Sequence, residues 1–161
     1  MNRDLAEFYK HNLWANLRLL NVCATLTDEQ LDLSAPGTYG KVRDTLVHLF
    51  GAEERYVMRL RGRSAERPPQ EHEAFPGIGE LRRSATESGN ALIEIASGFE
   101  TGTILRGVWR GEPYEIPAIV VMIQAINHAT EHRMHIVGIL NQNGIETPEM
   151  DGWAYGEEME K

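Results

Sequence analysis

The sequence predicts an all-α protein, a four-helix bundle with a small β-hairpin between the third and fourth long helices. Three observations carry that reading. Segments near 2–25, 41–61, 77–97 and 117–142 repeat apolar side chains at helical spacing. Each is bounded by residues that break helices. The stretch from Thr101 to Ile116 alone shows a strand-like pattern. Helices of this length must bury an apolar face against one another, and a bundle does so.

The first helix runs from Asn2 to about Thr25, with Leu5, Phe8, Tyr9, Leu13, Leu17, Leu20 and Ala24 in helical register; Trp14 and Asn16 widen that pattern sideways. Thr27 to Leu31 reads as a short capped turn, Thr27 being the N-cap and Gln30 its partner. Ser34-Ala35-Pro36-Gly37 then breaks the chain. The second helix, Lys41 to Arg61, carries the stripe Val42, Leu46, Leu49, Phe50, Val57 and Leu60. His48 lies off that stripe, about 100° from Leu49 and on the side of Asp44, Ala52 and Arg55. Its position suits plain exposure or the lining of a cleft beside the core, and the pattern leaves both open.

Gly62 to Pro76 is a loop rich in proline and charge, with His72 at the surface. The third helix, Gly77 to Ser97, sets Leu81, Ala85, Ser88, Leu92, Ile95 and Phe99 on one side, and Gly89 weakens it without breaking it. Thr103–Trp109 and Glu112–Ile116 flank the turn Arg110-Gly111, and Pro113 confines its strand to an edge. Pro117 suits the first turn of the fourth helix, which ends near Gln142 at Asn143-Gly144, with Pro148 beyond. In the tail Trp153 and Tyr155 are expected to pack back on the bundle and Glu157–Lys161 to fray. With no repeat and no linker, residues 1–161 read as a single domain.

Composition narrows the function. The chain has 161 residues, 42% hydrophobic and 25% charged, as in a soluble globular domain with a substantial core. Its 24 acidic against 16 basic residues give a net charge of −8, which opposes nucleic-acid binding. The basic cluster Arg59 to Arg63 suits a helix C-terminus. Cys23 is the one cysteine, so there is no internal disulfide; its place in the first helix makes it a packed thiol rather than a nucleophile. No signal-peptide stretch and no membrane-length apolar run is present, and a cytoplasmic location is expected.

The fourth helix holds half of the histidines: His128, His132 and His135. His132 lies about 40° and His135 about 20° to either side of His128, all on the face of Val121, Ala125 and Ile139. Imidazoles facing a packed interior need partners. Either they hydrogen-bond within the bundle or they hold a metal ion. His128 and His132 are one turn apart and can close on one ion. His128 and His135 are about 10 Å apart along the axis, too far for that, and His132 with His135 is a competing pair. A third ligand would have to come from another helix. The di-iron carboxylate pattern is excluded because no Glu stands three residues before a His, and the zinc-peptidase pattern fails because Ala129 follows His128. No Ser–His–Asp or Cys–His nucleophile system is readable.

Several features in order resemble the DinB-like superfamily of four-helix bundles: Tyr9…Leu13-Trp14-Ala15-Asn16…Leu19-Leu20 in the first helix, Lys41-Val42-Arg43-Asp44-Thr45-Leu46-Val47-His48-Leu49 in the second, His128-x-x-x-His132-Arg133 in the last, and Gly144-Ile145-x-x-Pro148 after it. The resemblance spans nearly the whole chain. It implies a divalent transition metal (Zn, Ni or Fe; Cu is also compatible with imidazole) held by His48, His128 and His132 in an open cleft at one side of the bundle, with His135 outside the ligand set. Three neutral imidazoles leave positions free for water or substrate. Asp44 and Glu131 are the nearest candidates to accept the ligands' remaining N–H groups. Tyr9, Trp14, Asn16, Tyr56 and Arg133 are candidates to line the cleft, although the three aromatics suit the core equally. Arg133 points away from the histidine face, so pairing with an acidic residue on a neighbouring helix is its other reading. The resemblance further implies a metal-dependent enzyme acting on a small molecule, either a transferase or isomerase using a low-molecular-weight thiol or a hydrolase. The alternative is a non-catalytic metal-binding stress protein or a homodimeric interaction module.

Overall fold

Gly89 sets how closely the bundle closes. A Cβ at this position would stand 2.7 Å from Leu13 Cδ1 and 3.1 Å from Leu13 Cβ, so the first long helix seats its leucine directly on the glycine backbone. The glycine that weakens its own helix is therefore what admits the neighbouring one. The computed structural model describes residues 2–63, 74–109 and 111–160. Its elements are α1 (Arg3–Cys23), α2 (Asp28–Leu31), α3 (Val42–Leu60), α4 (Ile78–Ser97), β1 (Ile104–Trp109), β2 (Glu112–Pro117), α5 (Ala118–Gln142) and α6 (Gly152–Met159). The expectations for His72 and for Arg110 in the hairpin turn fall outside the described residues.

The four long helices are the expected bundle, with α1 against α4 and α3 bridging α4 to α5. Local chemistry explains the ends. Asn2 caps α1 by accepting from Leu5 N at 3.0 Å, and α2 has a full capping box between Thr27 and Gln30. The β1–β2 hairpin pairs Ile104 with Pro117 and Val108 with Pro113. Ala118 N then donates to Thr103 O at 2.8 Å, which ties the start of α5 to the hairpin; Pro117 is its N-cap rather than a residue of its first turn. Among the described residues no helix is long and apolar enough to cross a membrane.

The tail differs from expectation. Asp151 accepts from Trp153 N and Ala154 N, at 3.0 and 2.9 Å, and nucleates α6 through Met159 instead of a frayed end. Tyr155 packs back, its ring 5.3 Å from Trp14 and its hydroxyl on Glu7 at 2.7 Å, but Trp153 is 85% exposed because α6 turns it outward.

The core falls into two apolar clusters. Leu19, Leu46, Phe50, Leu81, Ile136 and Ile139 belong to one; Tyr9, Ala52, Leu92, Val121 and Met122 belong to the other. On α1 and α4 the residues between the two clusters include the buried polar groups Asn12, Asn16 and Ser88. A buried polar layer thus interrupts the apolar interior between the two clusters.

Gly89→Val places branched carbon against Leu13, so overpacking outweighs the gain in helix propensity. A loss of about 1–3 kcal/mol is expected in a denaturant titration followed by circular dichroism.

Candidate metal centre

Two helices bring the histidines together. His128 and His132 are buried on α5, and half-buried His48 reaches them from α3. One ring nitrogen from each lies within 4.8 Å of the others. His48 Nε2 and His128 Nε2 are 3.0 Å apart, so without an ion one must carry the proton the other accepts. His132 meets both rings edge-on, with centroids 4.8 Å from His48 and 4.3 Å from His128. The off-stripe placement of His48 on α3 thus turns it toward the two α5 imidazoles, half-buried, while Ala52, on the same side, is fully covered.

The electrostatics keep the lone pairs available. His128 is held down to about 3, chiefly by burial and then by the neighbouring His132, His48 and Arg55. His132 is held down to about 4, again by burial first, then by His48 and His135, with Glu131 opposing. Both rings are neutral at pH 7. His132 Nδ1 is buried and has no hydrogen-bond partner among the described residues. A buried ring nitrogen without a partner is costly, and a cation would satisfy it. The donor set is three imidazoles with no thiolate or carboxylate, and it fits a transition metal with open coordination positions.

Around this cluster the structure redistributes the sequence-derived candidates. Tyr56 presents its ring edge to His128, with centroids 5.7 Å apart. Tyr9 is core, with a buried hydroxyl that has no partner among the described residues; burial, then the charge of Glu53, pushes its phenol well above the ordinary range. Trp14 does not line the cluster: its ring lies against His11 and Tyr155, under Arg18, because that side of α1 receives α6. Asn16 and Arg133 lie in the buried polar layer instead. Asp44 and Glu131 are solvent-exposed, and Glu131 acts on His132 only through its charge. His135 is half-buried beside His132, with centroids 5.3 Å apart, and its Nδ1 is buried without a partner among the described residues.

Two features escaped the sequence reading. Tyr39, in the segment between α2 and α3, stacks on His48 with centroids 4.1 Å apart and planes 12° off parallel, and meets His132 edge-on at 5.1 Å. No periodicity marks a loop residue, so nothing in the sequence singled it out. The other is the set of partners of Arg133. Its Nη1 donates to Asn12 Oδ1 and Asn16 Oδ1, both at 2.7 Å. The two amides donate in turn to Glu53 Oε2, at 3.2 and 3.0 Å, and Ser88 Oγ donates to Glu53 Oε1 at 2.7 Å. Glu53 falls at core spacing between Phe50 and Val57. An acidic residue there was the available signal.

The chain matches the sequence profile of the DinB family over residues 1–160. It belongs to the DinB family. A crystal structure of a DinB-like protein from Bacillus cereus ATCC 10987 is similar to it with a TM-score of 0.66 at 19% identity, covering 92% of this chain and 99% of that one. At that identity the likeness speaks for the fold. No curated protein matches this member of the DinB family.

The depressed histidines predict an acid response of the metal-free protein. Their folded-state values lie below the ordinary 6.5, so the unfolded chain binds protons that the folded chain refuses. Stability is therefore expected to fall as the pH drops from about 6.5 toward about 4. Thermal melts across this range should show a shallower slope for His128→Gln than for the parent.

Proposed function

We propose that this DinB-family protein holds one divalent transition metal through His48, His128 and His132 and uses it on a small molecule. The observation that carries the reading is the convergence of three ring nitrogens from two helices within 4.8 Å, one of the rings keeping a buried nitrogen that no described residue satisfies. Zn, Ni or Fe fits the donors. When bound, such an ion supplies Lewis acidity, stabilising a thiolate or lowering the pKa of water.

The chain's own residues define the rest. Three imidazoles occupy at most three coordination positions and leave room for an exogenous ligand. Tyr39, 50% exposed and stacked on His48, screens one flank of the cluster and holds that ring in place. Cys23 is buried, with its thiol pushed up to about 12 by desolvation, so it serves neither as ligand nor as nucleophile at neutral pH. A thiol-dependent reaction would therefore take its thiol from solution as a low-molecular-weight cofactor. The reading is thus a thiol-dependent S-transferase or, if water takes that coordination position, a hydrolase. A second reading is a non-catalytic metal-binding stress protein or a homodimeric module; the exposed Ile119, Val120, Ile123 and Met134 along α5 favour the module.

Metal analysis of purified protein should show about one equivalent of ion, lost in His48→Ala and in His132→Ala and retained in His135→Ala. Loss in His135→Ala with retention in His48→Ala would place the ion elsewhere. Electrophile conjugation with a panel of cellular thiols, with hydrolysis assayed beside it, separates the two readings: metal-dependent turnover favours the enzyme, and none favours the module.

A further inference from the structure

We infer that Arg133 is a positioning residue for the three-histidine cluster, acting through Asn12, Asn16 and Glu53. The inference rests on the proposed metal centre. Its starting point is which helices carry what. The two that supply the imidazoles, α3 and α5, also supply the acidic and basic side chains buried among the described residues, Glu53 and Arg133. Arg133 follows His132 directly in the chain, and its Nη2 donates to Thr130 Oγ1 at 3.0 Å, so the guanidinium is braced to the same turn that holds His128 and His132. Glu53 stands about one and a half turns after His48 on α3.

Asn12 and Asn16, one turn apart on α1, lie between the two charges. Each accepts from the guanidinium and donates to the carboxylate. The amide orientation is fixed by charge, because a flipped amide would turn its NH2 toward the cation and its oxygen toward the anion. One guanidinium nitrogen, Nη1, thus grips two acceptors on α1 while Nη2 holds Thr130, and the same two amides and Ser88 on α4 grip Glu53. Apolar contacts tolerate small slides of one helix along another. These bonds do not, since a shift of one residue displaces Arg133 by about 1.5 Å and turns it by about 100°. The network therefore fixes how α5 is rotated and set against α3, and with it the 3.0 Å approach of His128 to His48. Register specification is the best-attested use of buried polar groups, and residues supporting metal ligands change affinity by about 10- to 100-fold when altered.

The test uses cobalt(II) as the probe, with affinity from competition titration and geometry from its visible d–d bands. Arg133→Met removes every one of these donors; Arg133→Lys keeps the charge but not the two nitrogens that hold the asparagines and Thr130 at once, and decides alone if Arg133→Met does not fold. Leu92→Ala, in the apolar cluster that includes Tyr9, serves as a control for stability loss. Cobalt affinity about 10- to 100-fold weaker, with shifted bands, is expected for the Arg133 variants, and unchanged affinity for Leu92→Ala. Parent-like affinity and bands in the Arg133 variants, or an affinity loss in Leu92→Ala that tracks its lowered melting temperature, overturns the inference. If the parent protein takes up no cobalt, the metal reading fails by itself. The ring-proton NOEs between His48 and His128 in the metal-free protein then decide: retained in the Arg133 variants they overturn the positioning role, and lost they support it.

Discussion

A carboxylate and a guanidinium sit inside this bundle, 2% and 3% exposed, and the rest of the structure is arranged around satisfying them. Burial raises the pKa of the Glu53 carboxyl, against the pull of the Ser88 hydroxyl, the charge of Arg133 and the two asparagine amides. Burial likewise lowers Arg133, to about 10, with Glu53 opposing, which leaves it cationic at neutral pH. Removing one partner of such a set leaves polar atoms uncompensated, at about 1–3 kcal/mol for each buried group and more for a charge. Each of the four long helices contributes at least one member. A helix that shifts breaks bonds that water cannot reach to replace.

The layer explains why the apolar core is in two parts. Leu19, Phe50 and Ile139 pack on one side and Tyr9, Leu92 and Met122 on the other. Leucine-rich contacts of this kind supply most of the driving force for folding but little register information. The polar layer supplies that information between them. The imidazole cluster lies on two of the four helices that build this layer, and the neutral buried rings of His128 and His132 add further polar groups that need partners.

Much of this was legible in the residues themselves. The 3.6-residue period located four long helices, and cap and breaker residues placed most of their ends within a few positions. The shared face of His128 and His132 followed from spacing alone. The third histidine did not: His48 lies off the stripe of α3, and only the resemblance to the DinB-like superfamily paired it with the others. Trp14 shows the opposite failure. Its motif left cleft and core both open, while α6, a helix that Asp151 nucleates beyond the expected bundle, claims its ring. Arg133 was read as turned away from the histidine face, and it is. That it reaches Glu53 through two amides depends on distances between helices that no single helix encodes.

The sequence by itself determined where the four long helices lie, which of their faces are apolar and that two imidazoles stand one turn apart, because these follow from a repeat along one chain segment. Tertiary structure alone decided that His48 meets them, that Tyr39 stacks over the cluster and that Asn12, Asn16, Glu53, Ser88 and Arg133 form one network. Those pairings join residues up to 121 positions apart. They exist because burying polar groups forces each donor to find its acceptor on whichever helix packing has brought within reach.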